Sequence, residues 1–224
     1  MVVLFGHQKG GVGKSTIAIN FAYQIQSKFK DMVLLDLDSQ NSAILFNQLR
    51  ASEKLPTIKC VKERDIDFSS FISSYAGVQD NLLIVDSGGY DSDINRAALI
   101  KADIIITPVG ISQIEIFGLQ KFRNVLKKAS ESLGREIKTN VLLNNVDSRS
   151  KSKLNDLKEY IIENNQYFNL LGSTIHAKAD FKNSYGEGLT VKELNKNGSA
   201  QEEIKEFAKE ILIMIKNYYK TSKK

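Results

Sequence analysis

Short, nearly continuous apolar runs alternate along this chain with longer stretches in which apolar residues recur at helical spacing. The runs read as strands over 2–6, 32–36, 58–61, 82–86, 103–108, 140–144 and 170–175. The periodic stretches read as helices over 14–27, 42–50, 67–74, 92–101, 114–133, 151–164 and 199–219. Strand and helix in regular succession predict an α/β fold, a mostly parallel twisted sheet flanked by helices on both faces. Pro56 and Pro108 both fall at a loop or strand end, where a missing N–H does no harm. No repeat, linker or change of composition divides the chain, so residues 1–219 are expected to form a single domain and 220–224 a frayed basic tail.

Composition narrows the function only a little. Hydrophobic residues at 42% and charged residues at 25% of 224 positions describe an ordinary globular protein. A net charge of +5 fits an anionic partner such as nucleic acid or lipid, and fits a lysine-rich solvated surface equally well. The single cysteine, Cys60, excludes an internal disulfide and any multi-cysteine cluster. It lies in the alternating run 57–61, which points to a packed thiol. The chain does not open on a secretory leader, and no apolar run approaches the roughly 20 residues that cross a bilayer. A cytoplasmic protein is expected.

Chemically informative residues gather at the carboxyl ends of the predicted strands, where sheets of this kind bind ligands. After the first strand comes Lys9-Gly10-Gly11-Val12-Gly13-Lys14-Ser15-Thr16, a glycine-rich turn opening into a helix. Glycines let backbone N–H groups approach phosphate oxygens closely, and the helix N-terminus adds a favourable dipole. In such a loop Lys14 reaches the β- and γ-phosphates of a nucleotide while the Ser15 hydroxyl ligates Mg²⁺. The ordinary spacing G-x-x-x-x-G-K-[ST] would put glycine where Gln8 stands, and a second lysine, Lys9, sits beside it. The second strand closes in Asp36 and Asp38, and the fourth in Asp86 followed by Ser87, Gly88 and Gly89. An aspartate facing a phosphate loop can fix a water of the Mg²⁺ ion, and the glycine pair lets the next loop move toward a γ-phosphate. A lone strand-end aspartate is commonly a turn or helix cap. Three coordinated signals favour the nucleotide reading.

In the residues Lys9 to Thr16, with Asp36-x-Asp38 and Asp86, the chain resembles the deviant Walker-A ATPases, which include ParA partition proteins, MinD and the nitrogenase iron protein. The resemblance extends over essentially the whole chain. It implies an ATPase that uses ATP and Mg²⁺ and forms a homodimer with ATP sandwiched between the subunits. It also implies a role for each loop residue: Lys9 reaches phosphates held by the other subunit, Lys14 holds the β- and γ-phosphates, Ser15 ligates Mg²⁺, and Thr16 contacts the α-phosphate. Asp38 would orient the attacking water, with Asp36 and Asp86 near the water shell of the metal. A lysine delivered in trans neutralises charge on a transferring phosphoryl group, so hydrolysis is expected to follow dimer state and to be slow without a partner.

The flanks resemble the ParA branch. His7-Gln8-Lys9 is similar to N-Q-K-G-G-x-G-K, and Asp36-Leu37-Asp38-Ser39-Gln40 to D-x-D-P-Q with Ser39 in place of proline. MinD members usually carry glycine before the first lysine and lack that glutamine. Residues 188–193 and 198–204 resemble the closing segment of small plasmid-type ParA proteins. The residues before Lys9 leave no room for the helix-turn-helix extension of the larger type. A lone Cys60 sets aside relatives that hold an Fe–S cluster or arsenite with several thiols, and Tyr218 and Tyr219 are a thin counterpart of the tyrosine cluster of bacterial kinases.

The ParA resemblance implies a nucleoid-associated protein that binds DNA without sequence preference once ATP has dimerised it. It further implies a ParB-like centromere-binding partner, with plasmid or chromosome partition as the output. Lys178, Lys182, Lys192 and Lys196 are candidates for DNA phosphate contacts, Lys178 standing where the family often has arginine. Exposed solubilising lysine is the plain alternative for each. The rival reading is a MinD-like membrane-associated positioning ATPase, for which Ile204, Phe207, Ala208, Ile211, Leu212, Ile215 and Tyr218 supply one apolar helical face. Glu202, Glu203, Glu206 and Glu210 make the opposite face acidic, which favours packing on the sheet, so no membrane partner is expected. His176, Asn144 and Asn145 end strands where relatives contact the base, against plain readings as a hydrogen-bonded histidine and turn-forming asparagines.

Overall fold

A computed structural model describes residues 1–89, 92–147 and 150–221. Seven strands, β1 (Val2–Phe5), β2 (Asp31–Asp36), β3 (Lys59–Lys62), β4 (Asn81–Asp86), β5 (Ile104–Val109), β6 (Thr139–Val146) and β7 (Phe168–His176), form one sheet in the order β3-β2-β4-β1-β5-β6-β7. Every pairing is parallel. The helices are α1 (Lys14–Ile25), α2 (Ser42–Ser52), α3 (Phe68–Ser74), α4 (Asp93–Lys101), α5 (Gln113–Leu133), α6 (Lys151–Glu163), α7 (Ala179–Gly186), α8 (Val191–Leu194) and α9 (Ser199–Thr221). This is the α/β architecture that the alternation predicts.

The helices split between two layers because the strands alternate. On β1, Val3 and Phe5 face a core built with α1, α2, α8 and α9, while Val2 and Leu4 face one built with α3, α4, α5 and α6. The rings of Phe5, Phe21 and Phe207 meet at centroid distances of 5.5–6.4 Å and join β1, α1 and α9. The apolar stripe of α9 is therefore consumed by the core: Ile204, Phe207, Ala208, Ile211 and Ile215 are buried there. Two of its acids also have structural partners. Glu210 accepts the amides of Gly172 and Ser173, and Glu203 that of His176, so carboxylates cover amides of β7 at the sheet edge. No helix among the described residues is long and apolar enough to cross a membrane. Cys60 packs on β3, and burial, with the charges of Asp36 and Asp86 adding to it, pushes its thiol up to about 12. It is the packed thiol expected.

Two helices escape the periodicity. Helix α7 buries only Ser184 and carries no apolar stripe, and α8 is a single turn. The signal for α8 lay in the spacing, since Thr190 and Glu193 form a reciprocal capping box. Helix α9 runs on through Thr221, so the expected tail begins later than residue 220, and 222–224 lie outside the described residues.

Arg50 of α2 is the most heavily engaged buried charge. Its fork meets both Glu193 oxygens at 2.8 Å, its Nε donates to Pro56 O and its Nη1 to Gly188 O. The guanidinium lies 4.3 Å from the ring centroid of Tyr23 and 5.7 Å from that of Phe46. This contact ties the far end of α2 to α8.

Candidate nucleotide-binding site

The phosphate loop follows β1 at the centre of the sheet. Connections leave β1 toward one side and β5 toward the other, which opens a crevice at their carboxyl ends. Gly11 and Gly13 take φ of +76° and +91°, a left-handed conformation that side chains disfavour. Gly13 caps α1 with no side-chain hydrogen bond, so the first-turn amides of Lys14, Ser15 and Thr16 face the crevice without intrahelical partners. Asn144 braces the loop from β6: its Nδ2 donates to Val12 O at 2.8 Å, and a Cβ on Gly13 would stand 2.3 Å from that nitrogen. Its side chain is thus occupied in holding the loop, while the exposed Asn145, at φ +54°, lies on the wall of the crevice.

Both lysines are held across the turn. Lys14 is buried, and its Nζ donates to Lys9 O at 3.1 Å. Burial lowers its pKa, against the pull of Asp86 and Asp38. Lys9 points the other way, into an ion pair with Glu115 in the first turn of α5, and its own amide donates to His7 Nδ1. Gly89, after β4, packs directly on this turn, where a Cβ would fall 2.6 Å from Gly10 Cα. Only glycine fits at this contact between the loop after β4 and the phosphate loop.

The three aspartates have separate environments. Asp86 is fully buried at the end of β4, and among the described residues neither oxygen has a partner within hydrogen-bond geometry. Burial first, and then the charges of Asp36 and Asp38, push its carboxyl up to about 7, opposed by the nearby Ser15 hydroxyl and Lys14 ammonium. Asp36, also buried, spends its oxygens on backbone amides: Oδ1 accepts Asp38 N, and Oδ2 accepts Ala43 N and Ile44 N. It caps α2. Asp38 is half-buried and accepts Gln40 N through Oδ1, which shapes the turn before α2.

A cleft of about 540 Å³ runs from Gly11, Ser15 and Thr16 past Gly110 and Asn145 to α7. Its far wall carries His176, Lys178, Phe181, Lys182 and Tyr185. Glu203 of α9 organises this end, holding His176 Nδ1 at 2.8 Å and the Lys178 ammonium. Lys178, half-buried, and Lys182, exposed, thus line this cleft, and Lys192 and Lys196 are exposed on and after α8. Glu115 and Glu203 are site residues that sequence reading missed. Glu115 lies in the first turn of the helix that follows β5, so extending the strand-end rule through that turn would expose it; Glu203 had no local signal, because α9 reaches the cleft only through the fold.

His7 lies 2% exposed against the ring of Phe122, with centroids 5.7 Å apart and planes at 13°. Burial, with the charges of Lys14 and Lys9 adding to it, lowers its pKa to about 3. The unfolded chain, near 6.5, then takes up a proton before the folded one does, so this residue withdraws stability as pH falls from about 6.5 toward 3. Relative to His7→Asn, the native protein should lose about 3 kcal/mol between pH 7 and pH 4, read from urea unfolding at both pH values. A constant difference would contradict the buried neutral ring.

This fold and this loop define a nucleotide-binding α/β protein with a phosphate-cradling turn after its central strand. Residues 3–191 match the CobQ/CobB/MinD/ParA nucleotide binding domain, and the chain belongs to that family of ATPases. Among relatives, Protein ParA of Rhizobium radiobacter is 26% identical over 175 residues, covering 73% of each chain. Among solved structures, a Cyanothece McdA variant in complex with ATP aligns at TM-score 0.69 and 16% identity over 94% of this chain and 95% of that one. The cell division protein MinD of Aquifex aeolicus aligns at TM-score 0.67 and 16% identity, over 94% and 96%. At that identity both show the shared fold.

Proposed function

We propose that this protein is a ParA-like ATPase. It binds Mg-ATP, closes on a second copy across the nucleotide, binds DNA without sequence preference, and hydrolyses ATP slowly until a ParB-like partner stimulates it. The output would be partition of a plasmid or chromosome by a cytoplasmic, nucleoid-associated protein. The observation that carries this reading is the convergence of Lys9, Lys14, Ser15 and Asp86 around one open helix N-terminus. The first-turn amides and Lys14 suit the phosphates, and Thr16 adjoins them. Asp86, with two unpartnered oxygens beside the Ser15 hydroxyl, fits a divalent ion carried by the nucleotide. Such an ion would supply charge neutralisation on the phosphates. Asp38, at the turn before α2, is the candidate for positioning water, and Asp36 supports that turn by capping α2.

Lys9 is the residue of interest for the dimer. In the isolated chain Glu115 holds it, so acting on another subunit's phosphates requires exchange of that partner. Glu115→Gln should therefore raise the ATP-dependent dimer fraction, and Lys9→Ala should lower turnover, read by light scattering and phosphate release. The resemblance of the flanks to ParA and the ParA relative favour partition over the MinD-like alternative, and the packing of α9 uses the apolar face that a membrane would need. For DNA, the exposed Lys182, Lys192 and Lys196 are the freer candidates, and Lys178 is held by Glu203.

Sedimentation with duplex DNA and with anionic liposomes, each with ATP, ADP or no nucleotide, tests the whole reading. The expected result is ATP-dependent co-sedimentation with DNA that weakens steeply with salt, alongside measurable phosphate release. ATP-dependent liposome binding in its place would support the MinD-like alternative.

A further inference from the structure

His7 stands two residues ahead of Lys9 and belongs to neither the phosphate loop nor the core. Its Nδ1 accepts the Lys9 amide at 2.9 Å, which leaves the proton on Nε2. That nitrogen is buried and without a hydrogen-bond partner among the described residues. The ring packs on one face of α5, stacked with Phe122 and close over Gly118, where a Cβ would stand 3.0 Å from His7 Cε1. Helix α5 thus grips the start of the loop twice, through the His7 ring and through Glu115 on the Lys9 ammonium. His7 also lines a small cavity of about 30 Å³ with Ser87, Gly88, Asn95 and Arg96. A polar-walled space of that size has room for one water.

We infer that His7 is a positioning residue for Lys9. Its neutral ring fixes the Lys9 amide, and its Nε2–H donates to one buried water shared with the Ser87–Gly88 loop after β4. The water links the two loops that flank the γ-phosphate position, so displacement of either is felt at Lys9. The charged groups around the ring are Lys9 and Lys14 of the loop, Arg96 of α4 and, through Lys9, Glu115 of α5. The inference rests on the reading of Lys9 as a phosphate-directed lysine, and its tests separate the two.

The direct test is ¹⁵N NMR of the histidines in the nucleotide-free protein. There are only two, so His176→Gln assigns them. The expected spectrum has His7 Nδ1 unprotonated and Nε2 protonated, unchanged from pH 5 to 8, with an exchange-protected Nε2–H that shows a cross-peak to a bound water. An Nδ1–H tautomer, or no such water, overturns the inference whatever the enzyme does. The functional test is a cycle. His7→Leu should lower kcat for ATP about ten-fold, the scale of one lost hydrogen bond, with KM within about two-fold. His7→Asn, whose side-chain oxygen accepts an amide two residues on, should restore most of kcat although it too loses the Phe122 stack. In a Lys9→Ala background His7→Leu should have no further effect. An effect of equal size there, or no rescue by asparagine, rejects positioning through Lys9. Full turnover in Lys9→Ala itself would reject the functional reading and leave the NMR result to decide on His7.

Discussion

Lys14→Ala is expected to lower ATP turnover by about 10²–10³-fold or more and to weaken nucleotide affinity, measured by phosphate release and by titration with a fluorescent ATP analogue. The magnitude follows from where the ammonium sits. Lys14 is 5% exposed, donates to Lys9 O, and feels the charges of Asp86 and Asp38 at the root of the loop. A desolvated donor aimed at developing phosphate charge acts in a medium that screens it poorly, so its removal is felt strongly in the transition state. The same burial predicts that stability will not follow activity. Holding an ammonium away from water is unfavourable, so the nucleotide-free variant should melt no lower than native. Turnover within ten-fold of native would remove Lys14 from the machinery.

Arg50→Ala should be the most destabilising single change on the cleft side of the sheet, by about 3–5 kcal/mol, or roughly 10 °C in Tm for a chain of this size. The guanidinium is fully buried, its hydrogen bonds reach Glu193, Pro56 O and Gly188 O, and it packs on Tyr23 and Phe46. Truncation strands two carbonyls, leaves a cavity and frees α2 from α8. Arg50→Lys should also be costly, because an ammonium cannot reproduce the fork. The pair Arg50→Met with Glu193→Leu should recover a good part of the loss, since apolar volume replaces the ion pair. Thermal melts of the four proteins decide it; an Arg50→Ala Tm within about 2 °C of native would show that the contacts carry little net energy. Ser42, at the start of α2, lines the cleft and accepts from Tyr185 through its carbonyl, so loosening α2 should also weaken nucleotide binding.

The central strands β1, β2, β4 and β5 were legible because each is a buried, mostly apolar run, and parallel burial leaves that pattern nearly undisturbed. The phosphate loop was legible for a different reason: its backbone demands glycine at 11 and 13, and its chemistry demands lysine and serine next. Asp86 announced itself as an acid ending an apolar strand. Asp36 gave the same signal, yet its oxygens serve the amides of Asp38, Ala43 and Ile44, because a strand-end acid followed by a helix can also cap that helix. Nothing local records that Lys178 and Lys182 line the cleft beside α7, or that Glu203 meets Lys178 from α9.

Local sequence alone therefore determined the α/β alternation, the turn that cradles phosphate, and the strand ends at which partners for it would lie. These depend on the backbone conformation and hydrophobic period of neighbouring residues, which are written contiguously in the chain. Tertiary structure alone decided which acid stands opposite which cation: Glu115 on Lys9, Glu193 on Arg50 and Glu203 on Lys178. Each pair joins elements distant in sequence, and an ion pair leaves no periodic trace, so only the packing of α5, α8 and α9 could choose the partner.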